Sequence, residues 1–229
     1  MTLLPGFADP VFGAQATFRA VLDAMARPGR VMPAGADLAP PPPLMPSTAA
    51  LLLTLADADT NLFLAPECDA ARDWIAFHCG APFVAEPRAA RFIVATALPD
   101  LSVFDAGSDE APEESATVIV QVNARFSLSS LQGGEGQGEE GRATTLSRVA
   151  PPSPNPLPPK QGEREARKGQ HLRLSGPGLR TPTVLHVDGL PENFAEIWSR
   201  NHALFPRGVD LILCAGDALV ALPRSVAVT

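Results

Sequence analysis

A layered α/β fold built on a mixed β-sheet is what this sequence predicts, and three observations predict it. Apolar runs of strand length at residues 61–65, 91–96 and 116–122 alternate with segments whose apolar positions recur at helical spacing. The chain then closes on two more such runs, residues 209–214 and 218–222, joined by Ala215, Gly216 and Asp217, where glycine supplies an unusual backbone angle. That hairpin is too apolar to face water, so it belongs inside a sheet covered on at least one face. Strands alternating with helices and then a hairpin imply layers around a mixed sheet. The chain has 229 residues, 45% of them hydrophobic, enough for one sizeable core and fitting one domain better than two.

Each element has a local reason. Asp9 followed by Pro10 starts a helix, because an N-cap carboxylate accepts the first free amides and proline is tolerated in the first turn. Phe18, Val21, Leu22 and Met25 then fall on one helical stripe, and Pro28 with Gly29 ends the helix. The prolines at 40–43 must be extended. Ser47 reads as the cap of a second helix running through Ala56, whose Leu51, Leu52, Leu53 and Leu55 leave little polar face and predict burial. Residues 67–79 read as a helix with Gly80 as its C-cap, and residues 99–104 as a short helix. Residues 171–175 and 183–187 are further strands, and Pro191 opens a helix with Phe194, Ile197 and Trp198 on one stripe.

Several blocks, taken together and in order, resemble the PhnH family, a subunit of the bacterial carbon-phosphorus lyase system. They are Ala14-Gln-Ala-Thr-Phe-Arg-Ala-Val-Leu-Asp-Ala-Met-Ala-Arg-Pro-Gly29, Leu51-Leu-Leu-Thr-Leu-Ala-Asp-Ala-Asp-Thr60, Phe77-His-Cys-Gly-Ala-Pro82, Leu172-Arg-Leu-Ser-Gly-Pro-Gly178 and the terminal hairpin. The resemblance implies a three-layer fold similar to the large domain of pyridoxal-phosphate-dependent transferases, without their cofactor. It also implies assembly with the G, I and J subunits and with a second copy of the chain. The activity implied is support for α-D-ribose 1-methylphosphonate 5-triphosphate synthesis, in which a phosphonate displaces adenine from ATP. The alternative left open by the residues themselves is a stand-alone enzyme or binding module acting on a small phosphorylated ligand.

The resemblance lapses between roughly residues 127 and 169, and residues 129–169 are first Gly-rich and acidic, then Pro-rich and charged. No part of this segment can bury a core. We expect a disordered low-complexity insertion within a single domain spanning residues 1–229. Its flanks, the strand ending near Asn123 and the strand starting near His171, are expected to be adjacent and antiparallel.

Composition excludes several function classes. A formal net charge of -7 opposes nonspecific binding of nucleic acid, which requires a basic surface. No apolar run spans a membrane and the N-terminus lacks a secretory pattern, so cytoplasmic residence is expected. Cys68, Cys79 and Cys214 include no Cys-x-x-Cys pair and read as reduced thiols, with no metal site. The G-x-G-x-x-G match at residues 136–141 is accidental, since no strand precedes it and its glutamates would repel phosphate. A Schiff-base lysine is also missing from the expected core, because the only lysines, Lys160 and Lys168, lie in the insertion. No catalytic residue is assigned and no cofactor is expected.

Five residues stand out as candidate anion or partner contacts. Arg19 sits within the first helix's stripe, and Arg224 follows a buried strand, where a guanidinium is costly unless paired. Arg207 and Asp210 bracket the entry to the hairpin. For the arginines the choice is between an internal ion pair and bidentate capture of phosphate or carboxylate. His78 shares a helix stripe with Trp74 and Ile75; it is either a half-buried histidine helped by the negative helix end or a contact with substrate or partner. Asp57 and Asp59, next to Thr60, read as a turn rather than a metal or acid-base pair.

Overall fold

The computed structural model describes residues 4–122, 126–130 and 169–229. Nearly all of the expected insertion, and with it the expectation of disorder there, lies outside these described residues. In chain order the strands are β1 (Met32–Pro33), β2 (Leu62–Leu64), β3 (Phe92–Ala95), β4 (Thr117–Gln121), β5 (Ser127–Ser130), β6 (Gln170–Ser175), β7 (Thr183–Val187), β8 (Asp210–Ala215), β9 (Ala218–Leu222) and β10 (Ala227–Val228). The α-helices are α1 (Pro10–Ala26), α2 (Pro46–Leu55), α3 (Arg72–Cys79) and α4 (Phe194–His202).

The main sheet is mixed, in the order β1-β9-β8-β4-β3-β2. Its parallel part is β2, β3, β4 and β8, while β9 and β1 run antiparallel to their neighbours. The expected terminal hairpin is there, with Ala215 opposite Ala218 and Gly216 at φ 58°, the left-handed region that a side chain disfavours. Both faces of the sheet are covered. Ile119, Ile212 and Cys214 point into a core shared with Ala24, Leu51 and Ile75 of the first three helices. Val118, Val120, Leu211 and Leu213 point the other way, toward Leu172, Leu185, Phe194 and Trp198. Strands buried on both faces must be apolar at successive positions, which is the pattern of β4 and β8.

The second face is covered by α4 and by a four-stranded antiparallel sheet, β10-β6-β7-β5, that the sequence reading did not separate from the first. This corrects one expectation. β4 lies in the main sheet between β3 and β8, whereas β6 lies in the smaller sheet beside β7, so the two are not antiparallel neighbours. The physical distinction is in the residues: β4 is apolar toward both faces, while His171, Leu172, Arg173 and Leu174 alternate exposed and buried, as a strand with one wet face requires. On either side of the undescribed segment the chain joins this same small sheet, since β5 and β6 both pair with β7.

Local chemistry explains most element ends. Asp9 Oδ1 accepts from the amides of Val11 and Phe12, both at 3.1 Å, as an N-cap should. Gly80 closes α3 at φ 66°. The expected helix at 67–79 is a 3-10 stretch, Pro66–Ala71, that continues into α3. Ser47 is not the cap of α2: the helix begins at Pro46 with Met45 before it, and Ser47 is already buried in the first turn. Its amide instead donates to Gly216 O at 2.9 Å, fastening α2 to the hairpin turn.

Candidate functional site

Arg224 and Asp210 are brought together at the base of the terminal hairpin, where β8 begins and β9 has just ended. The Arg224 amide donates to Asp210 Oδ1 at 2.8 Å, and its Nη2 lies 3.2 Å from Oδ2. Nη1 donates to the carbonyls of Pro112 at 2.5 Å and Gly208 at 2.9 Å, and to the Ser115 hydroxyl. One guanidinium thus ties the acidic loop, the hairpin entry and the hairpin exit. Burial is the larger influence on Asp210 and raises its pKa, with the bonds and charge of Arg224 opposing it. Both terminal nitrogens of the guanidinium are thus already engaged by the chain itself. Arg207 goes elsewhere, its Nε 3.2 Å from Asp109 Oδ1 in an exposed pair whose contribution is small.

His78 anchors the N-terminal segment. Its Nε2 donates to Leu4 O at 3.0 Å, and Trp74 Nε1 donates to the same carbonyl at 2.7 Å. Since a carbonyl only accepts, the neutral ring carries its proton on Nε2. The imidazole also packs on Trp74, with centroids 4.6 Å apart, and edge-on to Phe77 at 5.0 Å. Beside it, Cys79 directs its thiol to Leu52 O at 3.5 Å. Burial pushes the thiols of Cys68, Cys79 and Cys214 up to about 11, so at neutral pH all three are thiols and none is a ready nucleophile. The hydroxyls of Thr48 and Ser47 at the start of α2 oppose that shift at Cys214.

Asp57 Oδ1 accepts from the Asp59 amide at 3.0 Å and from the Thr60 hydroxyl at 2.6 Å, the side-chain turn the sequence suggested. Among the described residues no group of three or more His, Cys, Asp or Glu is placed to hold a metal ion, and no helix is long and apolar enough to cross a membrane. At residues 176–178 the chain makes a tight turn, with the Leu179 amide donating to Gly176 O at 3.2 Å. Gly178 packs so closely that a Cβ would lie 2.3 Å from Ala26 O.

The feature that sequence reasoning missed is the outer face of α1. Its buried residues are Thr17, Ala20, Val21 and Ala24, so of the expected stripe only Val21 is fully inside and Met25 partly so. Phe18 and Leu22 face outward, 47% and 52% exposed, in line with Val11 at 74% and beside Phe12 at 70%. Positions 11, 18 and 22 recur at i, i+7 and i+11 and so share one side of the helix. Arg19 is exposed within this apolar side. These side chains, with Gln15 and Arg19 exposed among them, leave apolar surface facing outward on one side of α1, the kind of feature that can form an interaction site. The signal was available: α1 carries more large apolar residues than a single stripe can use.

The profile of the bacterial phosphonate metabolism protein family (PhnH) matches residues 5–229. The chain belongs to the PhnH family. It is 36% identical over 224 residues to the α-D-ribose 1-methylphosphonate 5-triphosphate synthase subunit PhnH of Rhizobium meliloti, covering 96% of this chain and 92% of that one. A shorter similarity, 45% over 58 residues, covers 25% of this chain and 30% of HtxG of Stutzerimonas stutzeri, a protein whose name assigns it provisionally to the C-P lyase subunits. Family membership accounts for the order of the sequence blocks, which fall on α1, α2, the end of α3, β6 with its turn, and β8 with β9.

Proposed function

We propose that this chain is a subunit of the carbon-phosphorus lyase core complex that supports α-D-ribose 1-methylphosphonate 5-triphosphate synthesis without supplying catalytic residues of its own. The observation that carries this reading is the similarity, along nearly the whole of both chains, to a relative named as the PhnH subunit of that synthase. Two structural features support it. The apolar outer side of α1 offers a surface to a partner, and the Arg224 guanidinium is engaged by its own chain. The partners we assign are the G, I and J subunits and a second copy of the chain, all in the cytoplasm. Closed two-fold pairing is the common arrangement for such a self-contact.

In this reading Arg19 is a partner contact within the apolar side of α1 and the exposed Arg207 a second candidate contact, while Arg224 with Asp210 braces the hairpin base and His78 the N-terminal segment. The layered fold is read as a scaffold similar to the large domain of pyridoxal-phosphate-dependent transferases. It would be kept for assembly without the cofactor, since both lysines lie in the segment between β5 and β6.

The test is co-expression with tagged I subunit together with G and J, followed by affinity capture and size-exclusion chromatography. The chain should co-elute in a fixed ratio with the others, and should self-associate when purified alone. A strictly monomeric chain that never co-elutes, or that alone turns over ATP and a phosphonate, would overturn the proposal.

A further inference from the structure

A cleft of about 650 Å³ opens between α4 and the 3-10 turn Leu101–Val103, on the face of the main sheet opposite α1–α3. Cavities of roughly 300–1,000 Å³ with apolar walls and a few placed polar groups are the usual small-molecule sites. The walls here are Leu98, Leu101, Phe104, Pro191, Ile197 and Leu204. Of the polar groups that line it, Asn201 is engaged: it donates to Val209 O and accepts from Val209 N, both at 2.9 Å. Two charged groups remain at the mouth, Asp100 and Arg200. Asp100 Oδ1 accepts from the Ser102 amide at 3.0 Å and its hydroxyl at 2.8 Å, which leaves Oδ2 able to accept. Among the described residues Arg200 makes no hydrogen bond or salt bridge, and it feels Asp100 only through longer-range attraction.

We propose that this cleft is a binding site for a flat, largely apolar ring that carries, on one edge, a hydrogen-bond acceptor for Arg200 beside a donor for Asp100, as a primary carboxamide does. An anion at the mouth is attracted by Arg200 and repelled by Asp100, and a cation the reverse. A neutral acceptor-donor edge satisfies both groups, while the apolar walls take the ring. The proposed assembly rests on the family match and on α1 and not on this cleft, so the site stands or falls apart from that reading.

Three aryl probes of one shape separate the possibilities: benzamide presents an acceptor and a donor, benzoate two acceptors, benzamidine two donors. Titrated into the full chain and followed by amide chemical shifts, benzamide should bind about fivefold more tightly than either charged analogue, the size of one ordinary hydrogen bond. The shifts should centre on residues 98–106 and 197–204. Arg200→Gln should weaken benzamide by a similar factor, and Leu204→Trp, at a partly exposed wall position, should abolish binding with the melting temperature unchanged. Equal binding of all three probes, shifts centred on α1, or no saturable binding overturns the proposal; so does benzamide binding that survives Leu204→Trp. If Leu204→Trp fails to fold, the wild-type shift map and the order of the probes decide.

Discussion

The outer side of α1 and the base of the terminal hairpin are opposite solutions to placing awkward residues. At the hairpin base, Arg224 and Asp210 are charged and mostly buried, yet every engaged atom meets a partner within the chain: Asp210, Ser115 and the carbonyls of Pro112 and Gly208. On α1 the residues are Val11, Phe12, Phe18 and Leu22, which cost least when buried, and they face outward. The contrast teaches that the Arg224–Asp210 charges are satisfied within the chain, whereas α1 leaves large apolar side chains facing outward.

The largest test of the contrast is at the hairpin base. Arg224→Ala removes the guanidinium that pairs with Asp210 Oδ2 and leaves the Pro112 and Gly208 carbonyls without that donor, while Asp210 keeps only the amide of residue 224; it should cost about 3 kcal/mol of stability by denaturant unfolding. A loss below about 1 kcal/mol would mean the network is incidental and the guanidinium free for another use. Second in size is the paired change Phe18→Ser with Leu22→Ser on α1. Because these side chains are half exposed, the isolated chain should melt at nearly the same temperature, while association with itself or with the other subunits should weaken tenfold or more, about 1.4 kcal/mol. Unchanged association constants would remove α1 from the interface.

Much of the fold was legible because it rests on local rules. The Asp9 cap, the Gly80 stop, the Asp57 turn and the Gly216 hairpin each depend on residues within a few positions of one another. Legibility failed where the deciding partner is distant in sequence. Ser47 looks like a cap locally, but the α2 start is set by contact with the hairpin turn 169 residues on, through Ser47 N and Gly216 O. Phe18 and Leu22 share a plausible stripe with Val21, and only the close packing of small residues, Ala20 and Ala24, against the sheet decides which side turns in. The split into two sheets was readable in part, from the two-sided burial of β4 against the alternation of β6. Arg224 and Asp210 were both flagged, but their pairing with each other was not, and neither were the partners from the acidic loop, more than a hundred positions away.

His78 offers a smaller test. With Trp74 it holds Leu4 O, so His78→Ala removes one of two donors to that carbonyl and the packing on Phe77. A loss of about 1 kcal/mol is expected, confined to faster amide exchange in residues 4–9, since Trp74 keeps its own bond. Global destabilisation, or abolished partner binding with unchanged exchange, would move His78 from anchor to interface.

The smallest effect concerns the pH dependence of the hairpin base, and its sign distinguishes burial from pairing as the dominant influence on Asp210. Burial raises the Asp210 pKa in the folded chain above its ordinary value of about 3.9. The folded state therefore binds that proton more tightly than the unfolded state does. Its contribution is fully present below the unfolded value and is lost as pH rises through the folded one. Asp210→Asn removes the titration and keeps the shape, so the other carboxylates cancel in the comparison. As pH falls from neutral toward 4, the wild-type chain should gain stability relative to Asp210→Asn, the smallest effect of the set. Parallel denaturant titrations of the two proteins across that window give the difference directly. If the wild type instead loses ground on acidification, attraction to Arg224 outweighs burial, and the hairpin base is an ion pair that acid loosens.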